Sequence, residues 1–218
     1  MFKTQIISSI EISIKYFVPQ TIGSIFILTS ILINKNNFLF TLSFIIIFSI
    51  GVLIKLALIP FHIWLLNVIK KITLNLIILV ITMQKLIPLI IIKFSNNYSI
   101  LIAPFLSLTI SRILGFYQNS IRKILSYSSI LNTRWITIIF TINKTIWLHY
   151  FTLYSFITLL LIKYMKKENF DYISNIFIKS HQSIHLIFFL IVTIAGLPPS
   201  IGFILKLILI KILISRIL

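Results

Sequence analysis

The sequence predicts an all-α fold, a polytopic transmembrane helix bundle formed as one domain over residues 1–218. Three observations predict it. Hydrophobic residues make up 59% of the chain and charged residues only 11%, whereas a soluble domain carries about 25% charged residues. The apolar runs are continuous rather than alternating, so they read as helices and not as barrel strands. Each run reaches the length of a membrane crossing, about 20 residues, and mean hydropathy is +1.10.

Seven spans follow in order: 13–34, 38–68, 74–95, 99–116, 124–142, 145–164 and 183–215. Short polar connections part them, such as Asn34-Lys35-Asn36-Asn37, Lys70-Lys71 and Gln118-Asn119-Ser120, with a longer one from Lys166 to Ser183. Connections this short make sequential helices antiparallel neighbours in one bundle. The N-terminus and the even-numbered loops carry Lys3, Lys70, Lys71, Arg122, Lys123, Lys166, Lys167 and Lys179; the odd-numbered loops carry mainly Lys35, Lys93 and Lys144. Basic loops stay on the cytoplasmic or matrix side, which places the N-terminus there.

Two spans exceed a simple crossing, and both contain proline. The second holds Pro60, in Leu58-Ile59-Pro60-Phe61-His62. The seventh holds Pro198 and Pro199, in Gly196-Leu197-Pro198-Pro199-Ser200. Proline removes a backbone donor and clashes with the preceding turn, so each span is expected to break. Discontinuous helices beside an ionisable group recur in ion transporters.

The formal net charge of +17 comes from 20 basic and 3 acidic residues. The basic residues are scattered in ones and twos between apolar runs, which is not the stripe of a nucleic-acid surface. No cysteine is present, which excludes disulfides, thiolate metal sites and cysteine nucleophiles. The start, Met1-Phe2-Lys3-Thr4-Gln5, has neither signal-peptide nor transit-peptide character. Residues with A- and T-rich codons dominate, Ile, Leu, Phe, Asn and Lys foremost. An organelle genome gives that bias; an AT-rich endosymbiont is the alternative.

The candidate functional residues are three lysines deep in apolar runs: Lys55, Lys85 and Lys206. A charge at membrane depth costs about 2.5–3.5 kcal/mol on insertion scales, so such a residue marks a functional site by default. Three acids cannot neutralise three buried lysines and the loop charges as well. The pattern points to proton or cation handling inside a larger assembly. His62, two residues past Pro60, is a candidate proton relay; the alternative is a histidine that caps the broken helix or bonds a neighbour's backbone. Gln84 beside Lys85 can hold a water or bond a neighbouring helix. His149 sits in an aromatic span. His181 and His185 are one turn apart but lack further ligands, so no metal site is expected. Glu11 stands four residues before Lys15, the spacing of a helical ion pair. Nothing resembles a nucleotide loop or a catalytic triad.

Five segments in order carry a family resemblance. They are Glu11-Ile12-Ser13-Ile14-Lys15-Tyr16-Phe17 (E-x-x-x-K-Y-F), Lys55 to Trp64 (K-L-G-x-x-P-F-H-x-W), Gln84 to Pro88 (Q-K-L-x-P), Ile121 to Ile130 (L-R-K-I-L-A-Y-S-S-I) and Gly196 to Lys206 (G-L-P-P-x-x-G-F-x-x-K). On these the chain resembles the subunit 2 family of mitochondrial NADH:ubiquinone oxidoreductase, respiratory complex I, whose members are antiporter-like membrane-arm subunits. The resemblance implies redox-coupled proton translocation in the inner mitochondrial membrane, with Lys55, Lys85 and Lys206 on a hydrated axis. It implies partners among the other membrane-arm subunits, and bound lipids. It implies that this chain holds no cofactor, with NADH, flavin, iron–sulfur clusters and quinone in other subunits.

Three departures stand out. The glutamate that pairs with the first lysine in the family lies ahead of the region matching Met1, and helices expected after Lys206 are missing, so the chain reads as short at both ends and the antiporter-like fold as incomplete. The family has Gly-Trp where this chain has Arg134-Trp135. These departures keep two alternatives open: a degenerate structural subunit without its own proton path, and a cation/proton antiporter subunit.

Overall fold

The computed structural model describes residues 2–34, 41–95, 102–142, 146–168, 181–198 and 200–217. These form ten helices: α1 (Phe2–Asn34), α2 (Thr41–Leu56), α3 (Ile63–Lys71), α4 (Leu74–Ile81), α5 (Met83–Ser95), α6 (Ile102–Phe116), α7 (Ile121–Ile142), α8 (Ile146–Glu168), α9 (His181–Ala195) and α10 (Ile201–Ile217). No strand occurs among the described residues, and the all-α expectation holds.

The predicted spans map onto these helices with one addition. Spans two and seven are broken, as their prolines require: α2 and α3 share one, α9 and α10 the other. Span three carries a further break at Thr82, between α4 and α5. Among the described residues, three stretches are by themselves long and apolar enough to cross a membrane: Ser9–Ile33, Leu74–Ile92 and Ile146–Glu168. Four of the seven expected spans fall short of that measure: breaks divide two of them into short apolar pieces such as Ser43–Leu56 and His185–Ala195, α6 has 15 residues, and α7 is too polar.

Helix α7 is the hub of the bundle, touching α3, α5, α6, α8 and α10. Its residues Ile121, Leu125, Ile130, Ile136 and Ile139 join one core with Leu56, Leu65, Ile77, Leu89 and Leu161. Helix α1 lies along α2 and reaches α3. The two helices meet at Gly23 and Gly51, where any Cβ would press on the opposing backbone or on Ile27; small residues permit such close approach in membrane helices. The outer surface is apolar, with Phe17, Ile25, Leu32, Phe156 and Phe188 exposed. Lipid is the solvent such a surface fits.

One end of the bundle gathers the basic loop residues. Lys71 Nζ donates to Glu11 over 2.8 Å, and Lys15 donates to the same carboxylate. Lys166 donates to Asn75, and Arg122 Nη1 donates to the Ile72 carbonyl over 2.7 Å. The expected Glu11–Lys15 pair therefore forms and gains a third member. These groups belong to the N-terminal helix and the even-numbered connections, which the charge asymmetry assigns to one side.

Candidate functional site: the buried lysines

Helix α2 ends at Ala57, which adopts a left-handed φ of 54°. Leu58 N–H donates to the Leu53 carbonyl and Ala57 N–H to that of Ile54. This paired closure is the Schellman motif, whose left-handed position is usually glycine, the residue the family pattern carries there. Trp64 Nε1 donates to the Ile54 carbonyl over 3.1 Å, tying α3 to the end of α2. Lys55 lies in the last turn of α2. Its stem runs across Gly23 of α1, so that a Cβ on Gly23 would stand 2.9 Å from Lys55 Cγ. Lys55 is half-buried, and its amine has no hydrogen-bond or ion-pair partner among the described residues.

Pro60 lies in the exposed turn after this break, and His62 precedes the first residue of α3. The histidine Nδ1 is 3.3 Å from the Pro60 carbonyl oxygen, and its ring is 6.3 Å from that of Tyr127. It faces α7 at the break and makes no side-chain cap hydrogen bond to α3, so the capping role is not formed.

Lys85 is 3% exposed. It sits one turn past the Thr82 break, where Lys85 N–H donates to the Thr82 carbonyl and Thr82 Oγ1 donates to that of Ile78. Its amine donates to three neutral oxygens of α7: Thr133 Oγ1 at 2.7 Å, the Ser129 carbonyl at 3.1 Å and Ser129 Oγ at 3.2 Å. Hydroxyls and a carbonyl solvate an ammonium without adding negative charge. Gln84 Oε1 is buried without a partner among the described residues.

Lys206, 8% exposed, belongs to α10 but serves α9. The chain leaves α9 through Gly196, at φ 72°, with a second Schellman closure: Leu197 N–H to the Val192 carbonyl and Gly196 N–H to that of Thr193. Lys206 Nζ donates to the Ala195 carbonyl over 2.8 Å. A Cβ on Gly196 would collide with the lysine amine, and one on Gly202 with the Thr193 carbonyl. Pro198 is exposed in the turn; Pro199 lies outside the described residues.

Between Lys85 and Lys206 runs a polar seam on α7 that sequence reasoning missed. Tyr150 OH donates to Asn132 Oδ1 over 2.7 Å, and Asn132 Nδ2 donates to the carbonyls of Ser128 and Ile194. Tyr154 OH is buried and approaches Ser129 without closing a well-formed hydrogen bond. Asn132, Tyr150, Tyr154, Thr193 and Gly202 line a cavity of about 20 Å³, space for one water. The available signal was the polarity of α7 itself, which carries Ser126, Ser128, Ser129, Asn132, Thr133 and Thr137 within one helix of membrane length. Arg134 was read only as a departure, yet it is wholly buried, and its three guanidinium nitrogens have no partner among the described residues.

His149 and His185 are exposed, and the side chain of His181 lies outside the described ones. No group of three metal-capable side chains occurs among the described residues. The helices that carry or hold the three lysines pack in succession: α2 on α5, α5 on α7 and α7 on α10.

A family described as NADH:quinone oxidoreductase/Mrp antiporter, TM, matches residues 1–217. The chain is 30% identical over 205 residues to NADH-ubiquinone oxidoreductase chain 2 of Anopheles gambiae, covering 90% of this chain and 60% of that protein. The Locusta migratoria protein of the same name is 28% identical over 216 residues, covering 94% and 63%. That of Osphranter robustus is 30% identical over 222 residues, covering 95% and 64%. The chain therefore spans less than two thirds of the length of these relatives. The match runs through both Schellman-closed breaks and all three lysines, and the chain belongs to the NADH:quinone oxidoreductase/Mrp antiporter transmembrane family, where the relatives it resembles are chain 2 subunits.

Proposed function

We propose that this chain is a membrane-arm subunit of NADH:ubiquinone oxidoreductase in the inner mitochondrial membrane and takes part in redox-coupled proton translocation through Lys55, Lys85 and Lys206. The observation that carries the reading is Lys85. Its buried amine is held by three neutral oxygens and no carboxylate, an environment that can keep the proton or release it along hydroxyls. Thr133 and Ser129 take the proton's hydrogen bonds on one side. On the other, Asn132, Tyr150 and Tyr154 lead to the Ile194–Ala195 carbonyls and Lys206. A single water in the small cavity would join Tyr154 to this chain of donors and acceptors. Redox chemistry belongs to other subunits, and this chain contributes to the enzyme by moving protons.

The test is Lys85→Met in the assembled complex, reconstituted in proteoliposomes. Protons moved per NADH oxidised are expected to fall, while the complex still assembles; unchanged pumping in an assembled variant sinks the reading. A second reading has one observation in its favour. No carboxylate stands near Lys55 among the described residues, where only Glu11 and Glu168 carry one, both by the basic end of the bundle. A structural subunit without its own proton path fits that absence, and it predicts that Lys85→Met leaves pumping intact.

A further inference from the structure

The basic end of the bundle holds a recess of about 610 Å³ between the end of α3 and the turn joining α6 to α7. Lys70, Arg122 and Lys123 line it, with Tyr117 and Ser120, and no carboxylate does so among the described residues. The amines of Lys70 and Lys123 have no hydrogen-bond or ion-pair partner among the described residues. Arg122 is committed to the Ile72 carbonyl, which pins the first turn of α7 to the end of α3 and fixes the wall between the two lysines. Ser120 Oγ is buried beside them without a partner. The recess also lies at the start of the 22-residue α7, where the helix dipole favours an anion. Free ammoniums, an unpartnered hydroxyl and a helix start from one wall form a set of donors suited to a phosphate's several oxygens.

The surroundings specify the bearer of that phosphate. Phe116 and Tyr117, at the rim, are 88% and 80% exposed, and Ile110 and Ile113 continue an exposed apolar strip along α6. Aromatic side chains at a helix end mark the headgroup level of a membrane, and the strip below offers acyl chains a place to lie. We propose that this recess binds the phosphate of an anionic phospholipid, with its acyl chains along α6. The proposal does not depend on the proton path and is read without measuring turnover.

The experiment uses the assembled complex in vesicles of phosphatidylcholine containing a minor fraction of a photoactivatable lipid, either phosphatidylglycerol or phosphatidylcholine, with mass-spectrometric mapping of the labelled peptides. The phosphatidylglycerol label is expected on residues 110–123, with phosphatidylcholine labelling that segment far less. Lys70→Gln with Lys123→Gln is expected to lower the phosphatidylglycerol label about tenfold or more, since each amine near the surface contributes to holding an anionic lipid. Lys70→Arg with Lys123→Arg should keep it. If the double glutamine variant fails to assemble, the single Lys123→Gln variant carries the same comparison, with a smaller expected loss. Equal labelling by both lipids, or labelling unchanged in the glutamine variants, overturns the proposal. Displacement of the label by inorganic phosphate in solution assigns the recess to a soluble phosphate and overturns the lipid.

Discussion

The amine of Lys206 caps the end of helix α9, donating over 2.8 Å to the carbonyl of Ala195. That carbonyl is left without a helical donor because the chain turns away at Gly196. A cation at a helix C-terminus also meets the negative end of the dipole, an interaction worth about 0.3–1 kcal/mol when exposed and up to about 2 when partly buried. Lys206 is therefore a structural cap as well as a candidate proton carrier, and a loss of activity in an ordinary truncation mutant would not separate the two.

Arginine separates them. It keeps a cation at the helix end but does not give up its proton in proteins. Lys206→Arg is expected to assemble with thermal stability close to the parent and to move fewer protons per NADH. Lys206→Met should lose both properties. Thermal melting of the purified complex, set beside proteoliposome pumping, checks this. An arginine variant that pumps normally would reduce Lys206 to a cap.

The two Schellman closures make an opposed pair of predictions. Gly196 takes φ 72°, and its Cβ position is filled by the Lys206 amine. Gly196→Ala should therefore destabilise by more than the roughly 1–2 kcal/mol that a left-handed conformation costs a residue with a side chain. Ala57 already bears that cost at φ 54°. Ala57→Gly relieves it but gives up a buried methyl worth about 0.8 kcal/mol, so the change should be neutral or stabilising by up to about 1 kcal/mol. An alanine-to-glycine change at a buried helical site would instead destabilise. The midpoint of chemical denaturation, compared across the three proteins, gives the signs directly.

The same residues show what the sequence could reveal. Lys55, Pro60, Lys206 and the Gly196-Leu197-Pro198 turn were legible because proline and glycine announce a break and a lone charge in an apolar run announces itself. The Thr82 break was not legible, since threonine has no such signature and the distortion depends on its hydroxyl bonding the Ile78 carbonyl. The seam through Asn132, Tyr150 and Tyr154 was also hidden, because it joins residues on different helices. Burial separates equivalent-looking charges in the same way. Lys211 is exposed where Lys206, five residues earlier, is enclosed by α9.

Arg134 presents a charge without a partner among the described residues, at the hub of the bundle. It is fully buried on α7, next to the threonine that holds Lys85, and Arg112 of α6 stands within electrostatic reach of both Arg134 and Lys206. A buried ion without a partner costs several kcal/mol even after relaxation. Arg134→Met keeps most of the volume and removes the charge. It is expected to raise the stability of the subunit by about 1 kcal/mol or more, read as the temperature at which this chain is lost from the purified complex. A drop in that temperature would mean that the guanidinium is paired in the assembly by a group outside this chain.

Gly23 decides where the amine of Lys55 can go. The lysine stem crosses α1 where Gly23 has no side chain, and Gly51 on α2 lets the two backbones approach at the same level. A methyl on Gly23 would stand 2.9 Å from Lys55 Cγ and 3.2 Å from the Gly51 carbonyl oxygen. The first contact can yield, because a lysine stem is flexible; the second is backbone and cannot. Gly23→Ala should therefore push the lysine aside and part the helices slightly, leaving assembly intact. If Lys55 exchanges protons with a group positioned by another part of the assembly, that displacement lowers pumping per NADH more than it lowers NADH oxidation. Gly51→Ala supplies the control. Its methyl meets Ile27 and the Gly23 carbonyl but not the lysine, so it disturbs the same helix crossing without touching the Lys55 stem. Equal losses of pumping in both variants would trace the effect to helix packing alone. A loss confined to Gly23→Ala would locate it at the Lys55 amine.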